Sequence, residues 1–253
     1  MFRSLLSFCK GPFRLWLDSI SHQLFPRYCC VCGLRLMSAE QHTCVGCLSR
    51  LPLTEFKGAK GNAVERSLWD DRICTVHASS FMFYHQNSDY SRIFFSFKYH
   101  HRPEVAVSYG RIMAQDLVAT GFFDGIDVIV PVPLSAKRFR KRGYNQSERL
   151  AEGVRQVTGI PVETRAVARI VDNPTQTHLS TAERMENVKD IFRLVGPACV
   201  EGKHVLLVDD MITTGSTLRS CAHTLLEAAN VRLSVLTLGA SERNRKYLFP
   251  ESD

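Results

Sequence analysis

No apolar run in this 253-residue chain approaches the roughly 20 residues that a membrane-spanning helix needs, which excludes a transmembrane helix. A secretory leader is not expected either. Arg3 and the run Leu5, Leu6, Ser7, Phe8, Cys9 are cut short by Lys10, Gly11 and Pro12, with no small-residue cleavage site. A cytoplasmic location is the default expectation. No Gly-x4-Gly-Lys-Ser/Thr occurs, so P-loop chemistry is excluded. What is present is a soluble, globular composition, 45% hydrophobic and 23% charged, long enough for one α/β domain and a smaller module. The net charge is +7, and residues 1–60 carry most of it, with eight Lys or Arg against three acids.

Residues 203–217 organise the chain. Val205, Leu206, Leu207 and Val208 read as a strand buried on both faces, as in a parallel sheet. Asp209 and Asp210 follow, then Thr213, Thr214, Gly215, Ser216 and Thr217, then Leu218, Cys221, Ala222, Leu225 and Leu226 at helical spacing. A hydroxyl-rich turn opening a helix offers free N–H groups and the positive end of the helix dipole, the parts of an anion site. Carboxylates beside it suit hydroxyl donors, so the pattern fits a sugar phosphate. Residues 205–217, thirteen contiguous residues, resemble the phosphoribosyl pyrophosphate (PRPP) signature of type I phosphoribosyltransferases.

The nine cysteines are clustered, five of them between Cys29 and Cys47. Cys29 and Cys32, then Cys44 and Cys47, form two Cys-x2-Cys pairs, the spacing of a four-thiolate Zn²⁺ site, with Gly33 and Gly46 suited to the knuckles. Cys30 and His42 are rival ligands; spacing favours Cys29 and Cys32, with Cys30 pointing away. A module this small needs its metal as a core.

Elsewhere, Pro12, Phe13, Trp16, Leu17, Ile20 and Leu24 suit an amphipathic helix, packed on its own protein or lying on a membrane surface. Residues 55–71 read as a linker, 73–84 as strand, and 103–120 as a helix closed by Gly121. Residues 126–130 form a second buried strand. After it, Lys137, Arg138, Arg140, Lys141 and Arg142 form a basic run, either a solvated loop or a meeting point for a polyanion at the edge that holds Asp209. A helix with Leu150, Ala151 and Val154 inward follows. Residues 169–188 are a polar excursion that suits a mobile hood, residues 192–195 a strand, 232–238 the last parallel strand, and 239–243 the loop beyond it.

The whole resembles the ComF (GntX-like) family. The likeness rests on the four-cysteine motif, Phe97-Lys98-Tyr99, Val130-Pro131-Val132-Pro133-Leu134, Arg142-Gly143-Tyr144-Asn145-Gln146, Thr175-x-Thr177 with Leu179, Arg184 with Asn187, and the PRPP motif. Tyr144 stands where the family usually has Phe. The resemblance implies an α/β fold, a mostly parallel sheet flanked by helices, at residues 72–245, a zinc module at 26–56 and a helix in 1–25. It implies PRPP bound by Asp209, Asp210, Thr213, Thr214, Gly215, Ser216 and Thr217, its pyrophosphate near Leu134, Ser135, Lys137, Arg138 and Arg142, and Mg²⁺ bridging the ribose hydroxyls and the pyrophosphate; no catalytic residue is named. Support of DNA uptake follows from the family, with single-stranded DNA and uptake proteins as further partners. Pentosyl transfer in nucleotide salvage, or PRPP sensing without turnover, are the alternatives. The base would be read by the loop at 239–243, where Ala240 and Ser241 name none.

Overall fold

A computed structural model describes residues 26–171 and 191–241. The expected helix at 12–24, the hood at 172–187 and the tail beyond residue 241 lie outside the described residues. The chain divides into two compact units, Met1–Leu51 and Pro52–Asp253.

In the smaller unit Tyr28 bridges Arg35 in an antiparallel hairpin, and the turn between them needs Gly33 at φ 75°. Helix α1 (Val45–Leu48) follows Cys44 directly. Glu40 accepts from the N–H groups of Met37 and Val45 and so ties the hairpin to this short helix.

The larger unit is built on four parallel strands in the order β1 (Thr75–Tyr84), β6 (Arg232–Ser241), β5 (His204–Ile212), β2 (Val128–Pro131). Strand β5 is buried without interruption from His204 to Asp210, as a central parallel strand must be. It is longer than its apolar run. Asp209, Met211 and Ile212 still pair with Thr237, Gly239 and Ala240 of β6, so the two acids stand within the strand and not after it. Strand β6 likewise reaches Ser241, paired with Tyr84. Gly239, Ala240 and Ser241, expected as a loop, are therefore strand.

One face of the sheet, with Val128, Val130, Val205, Leu207, Leu233 and Val235, packs on α2 (Ala63–Leu68), α7 (Ser216–Leu225) and a two-stranded antiparallel pair, β3 (Val167–Arg169) with β4 (Phe192–Leu194). Residues 192–195 thus add a strand, but to the second sheet. Ile129, Leu206, Val208 and Leu236 alternate with that set, are equally buried, and face the layer of α4 (Pro103–Leu117) and α6 (Gln146–Thr158). Helix α2 corrects the linker expectation for 55–71. The Asn62 side chain caps it by accepting from the N–H groups of Val64 and Glu65, and Ala63, Val64 and Leu68 are buried. Asn62 with Glu65 three residues on was the overlooked start signal. The segment containing Ile93, Phe94 and Phe97 forms α3 (Ser91–Tyr99). The basic run is a helix, α5 (Ala136–Arg142), ended by Gly143 at φ 80°, and none of its residues is buried.

Helices α4 and α6 cross in backbone contact at Gly110 and Gly153. A Cβ on Gly153 would stand 2.1 Å from the Val107 carbonyl oxygen and 2.8 Å from the Arg111 nitrogen. Backbone cannot give way as a side chain can, so Gly153→Ala should destabilise the protein by at least the ~1–3 kcal/mol typical of overpacking. Urea unfolding reads it, and an unchanged midpoint would show that the helices separate freely.

Candidate functional site

Two constellations carry chemistry. In the smaller unit the Sγ atoms of Cys29, Cys32, Cys44 and Cys47 all lie within 4.8 Å of one another. Zinc bound tetrahedrally at about 2.3 Å from each sulfur holds the sulfurs about 3.8 Å apart, and the Cys32 and Cys44 sulfurs are 3.8 Å apart. The Cys44 amide donates to Cys29 Sγ at 3.4 Å. Burial works against ionising Cys29, yet backbone amides of Cys32, Cys44 and Val31 outweigh it and bring the thiol down to about 7. Burial pushes Cys47 up, and its three thiol neighbours add to the rise. The donor set fits a thiolate-preferring ion of zinc's size. Cys30 lies outside the cluster, its Sγ 3.4 Å from Thr43 Oγ1.

In the larger unit the carboxyl end of β5 meets the turn into α7. Asp209 and Asp210 are 8% and 6% exposed. Asp209 Oδ1 accepts from Ser147 Oγ at 2.8 Å and from the Asp210 amide at 2.8 Å. Lys98 Nζ stands 2.9 Å from Asp210 Oδ2, a charge contact without hydrogen-bond alignment. Gly215, at φ 76°, leads into α7 and brings no capping side chain. A Cβ there would stand 3.1 Å from the Ser67 carbonyl oxygen, so glycine is required twice over. Thr213 and Thr214 are exposed, and Thr214 Oγ1 donates to Ser216 Oγ at 3.1 Å. The Ser216 amide donates to Thr214 Oγ1 at a long 3.5 Å, and with no cap from Gly215 the other N–H groups of the first turn of α7 are open to an anion.

The segment after β2 serves mainly to hold this edge together. Ser135 caps α5 by accepting from the Arg138 amide. Tyr144 donates its hydroxyl to the Phe97 carbonyl, and Arg142 donates to the Lys98 carbonyl at 2.9 Å and to Gln146 Oε1. Asn145 caps α6 through the Ser147 amide and donates to the Val132 carbonyl at 3.0 Å. A cavity of about 220 Å³ opens at the strand ends. Of the residues singled out above, Leu134, Arg138, Asp209, Asp210 and Thr217 line it. Arg142 lies instead against Lys98 and Tyr99, Ser135 is buried as a cap, and Lys137 is exposed on α5. Gln146, Ser147 and Arg169 line the cavity although sequence reasoning gave them no role there. Arg169 ends β3, with its guanidinium carbon 5.5 Å from the Phe192 ring centre. Its position in the stem of the polar excursion was the available signal.

Burial raises Asp209 from the ordinary 3.8 to about 7; the charge of Asp210 adds to this, and the bonds from Ser147 and the Asp210 amide and the charge of Lys98 do not overcome it. Between those two values the folded state holds a proton that the unfolded chain has lost, so stability falls as pH rises through this window and levels off above about 7. Asp209→Asn removes the loss. Its melting temperature relative to wild type should therefore be higher at about pH 8 than at about pH 5, and an equal offset at both would show that Asp209 stays ionised throughout.

A geometry of this kind invites comparison with known proteins. The phosphoribosyl transferase domain family matches residues 108–252. The DNA utilization protein YhgH of Escherichia coli K12 is 30% identical over 217 residues, 83% of this chain and 88% of that one. Competence protein F of Haemophilus influenzae is 30% identical over 205 residues, 79% of each. YhgH of Salmonella typhi is 36% identical over 141 residues, which span 54% of this chain and only 61% of that relative. Domain match, long-range identity and four-cysteine cluster agree: the chain belongs to the ComF family, a phosphoribosyl transferase domain preceded by a four-cysteine module.

Proposed function

We propose that the larger unit binds PRPP with Mg²⁺, that the four cysteines hold one structural Zn²⁺, and that the protein works in the cytoplasm in the uptake or use of DNA. The carrying observation is a cavity that joins a buried acidic pair, Thr217 on the opening turn of α7, and Arg138. The carboxylates accept the ribose hydroxyls, the amides at residues 213–217 take the 5-phosphate, and Arg138 meets the pyrophosphate. Asp209 and Asp210 are the carboxylates that would face Mg²⁺, which would supply charge neutralisation to the pyrophosphate. The DNA role is drawn from the relatives named for DNA utilization and competence.

Calorimetric titration with PRPP in Mg²⁺ tests the binding reading; saturation at one site per chain is expected, and no heat of binding would sink it. Pentosyl transfer is the second reading, favoured by Arg138 and Arg169 beside the cavity where a leaving pyrophosphate would be stabilised. Pyrophosphate release measured with a panel of bases and with DNA separates the two, since binding alone releases none.

A further inference from the structure

The acidic pair of this cavity is not bare. Lys98 reaches Asp210 from the last turn of α3, its side chain 18% exposed and its Nζ 2.9 Å from Asp210 Oδ2. This placement is over-determined. The backbone beneath Lys98 is pinned by Arg142 on its own carbonyl and by Tyr144 on that of Phe97. Lys98 Nζ lies 5.6 Å from the centre of the Phe94 ring. That ring in turn rests on Gly239 so closely that a Cβ there would meet it at 2.6 Å. Thus Arg142 and Tyr144 of one motif and Phe97-Lys98-Tyr99 of the other jointly aim one ammonium at one carboxylate. The contact is not aligned as a hydrogen bond, so Asp210 Oδ2 is neutralised in charge but left unsatisfied as an acceptor. A group held this way is displaced at low cost by a partner that supplies both charge and directed donors.

We propose that Lys98 is a built-in counter-ion of the acidic pair, occupying the place of a divalent cation on Asp210 until a sugar phosphate arrives with its own. This rests on the proposed PRPP site and adds a rule to it: metal alone is refused, and metal with sugar phosphate is accepted. The physical reason is charge. Two buried carboxylates with no cation nearby would draw in a hard divalent ion from solution, whereas an ammonium on one of them repels it. A sugar phosphate brings hydroxyl donors for Asp210 and phosphate oxygens for the metal, so the ammonium can move away to an anion.

The test uses the full-length, zinc-loaded protein and Mn²⁺ as probe, read by electron paramagnetic resonance without any sugar phosphate. Lys98→Met should bind Mn²⁺ at least tenfold more tightly than wild type, and Lys98→Arg, which keeps the charge, should remain as weak as wild type. Adding Asp209→Asn and Asp210→Asn to Lys98→Met should abolish the gain. Should Lys98→Met lose its circular-dichroism signature, Lys98→Gln takes its place, uncharged but still a donor, with the same expected gain. Equal Mn²⁺ affinity in a folded, uncharged variant and wild type overturns the proposal, as does tight binding by Lys98→Arg. Because the readout needs no PRPP, failure of the PRPP site shows separately, as an absent calorimetric signal in wild type.

Discussion

Replacing Asp209 and Asp210 together by asparagine should weaken PRPP binding in Mg²⁺ by about one to two decades for each acid. The shape is retained, and charged acceptors are exchanged for neutral amides. A hydrogen bond to a charged group is worth about 1.5–3 kcal/mol, which is the source of that figure. The fold should survive. Both positions lie in the last part of β5, where the strand backbone stays paired with β6 whatever the side chain. With Asp209→Asn, the new side-chain carbonyl could still accept from Ser147 Oγ and from the amide of residue 210, the bonds that Asp209 makes now. Asp209→Asn should if anything raise stability at neutral pH, whereas Asp210→Asn leaves the Lys98 ammonium without its carboxylate and should offset part of that gain. Calorimetry of wild type and double variant, each checked by circular dichroism, is the measurement. Equal affinities in two folded proteins would mean that the acidic pair does not face the ribose.

The second large effect concerns the cysteines. Purified protein should contain about one zinc per chain, and Cys44→Ser/Cys47→Ser should contain none. Structural zinc contributes on the order of 10–16 kcal/mol in small zinc modules. The described part of the smaller unit buries little apolar surface beyond Val31 and Leu36, far too little to replace that contribution. Loss of metal should therefore unfold this unit while the larger one, with its own core, remains folded. Trypsin should then cut rapidly at Arg27, Arg35 and Arg50 in the double variant and slowly in wild type. Full zinc content in the variant would place the metal elsewhere, and equal cleavage rates would show that the hairpin folds without it.

Much of the fold was legible because its signals are local. The uninterrupted apolar runs ending at Val130 and Val208 mark parallel strands, since helices cover both sides of such a sheet. The helix from Pro103 is marked by its proline start and by Gly121, which takes the left-handed φ of 75°. The four cysteines announce themselves by spacing, which a metal-sized tetrahedron dictates. Where local signals were weak, the reading erred in kind. The short helix α2 was lost among polar residues because its six residues contribute only one buried face. Gly239 reads as a loop residue, yet it is glycine because the Phe94 ring occupies the space of its side chain.

The amino-acid sequence by itself determined the parallel strands, the four-sulfur cluster and the acidic pair with its hydroxyl-rich turn. Each depends on residues a few positions apart, whose relative placement backbone geometry restricts to a small set. Only the tertiary structure decided which side chains attend the acids. Lys98 and Ser147 reach Asp210 and Asp209 from α3 and α6, and Arg169 comes from the stem of a second sheet, while Arg142, in the most basic run of the chain, turns back to hold Lys98 in place. Such pairings arise when helices pack on a sheet and bury charges that must then find partners across long separations in the chain, and no periodicity or spacing encodes that choice.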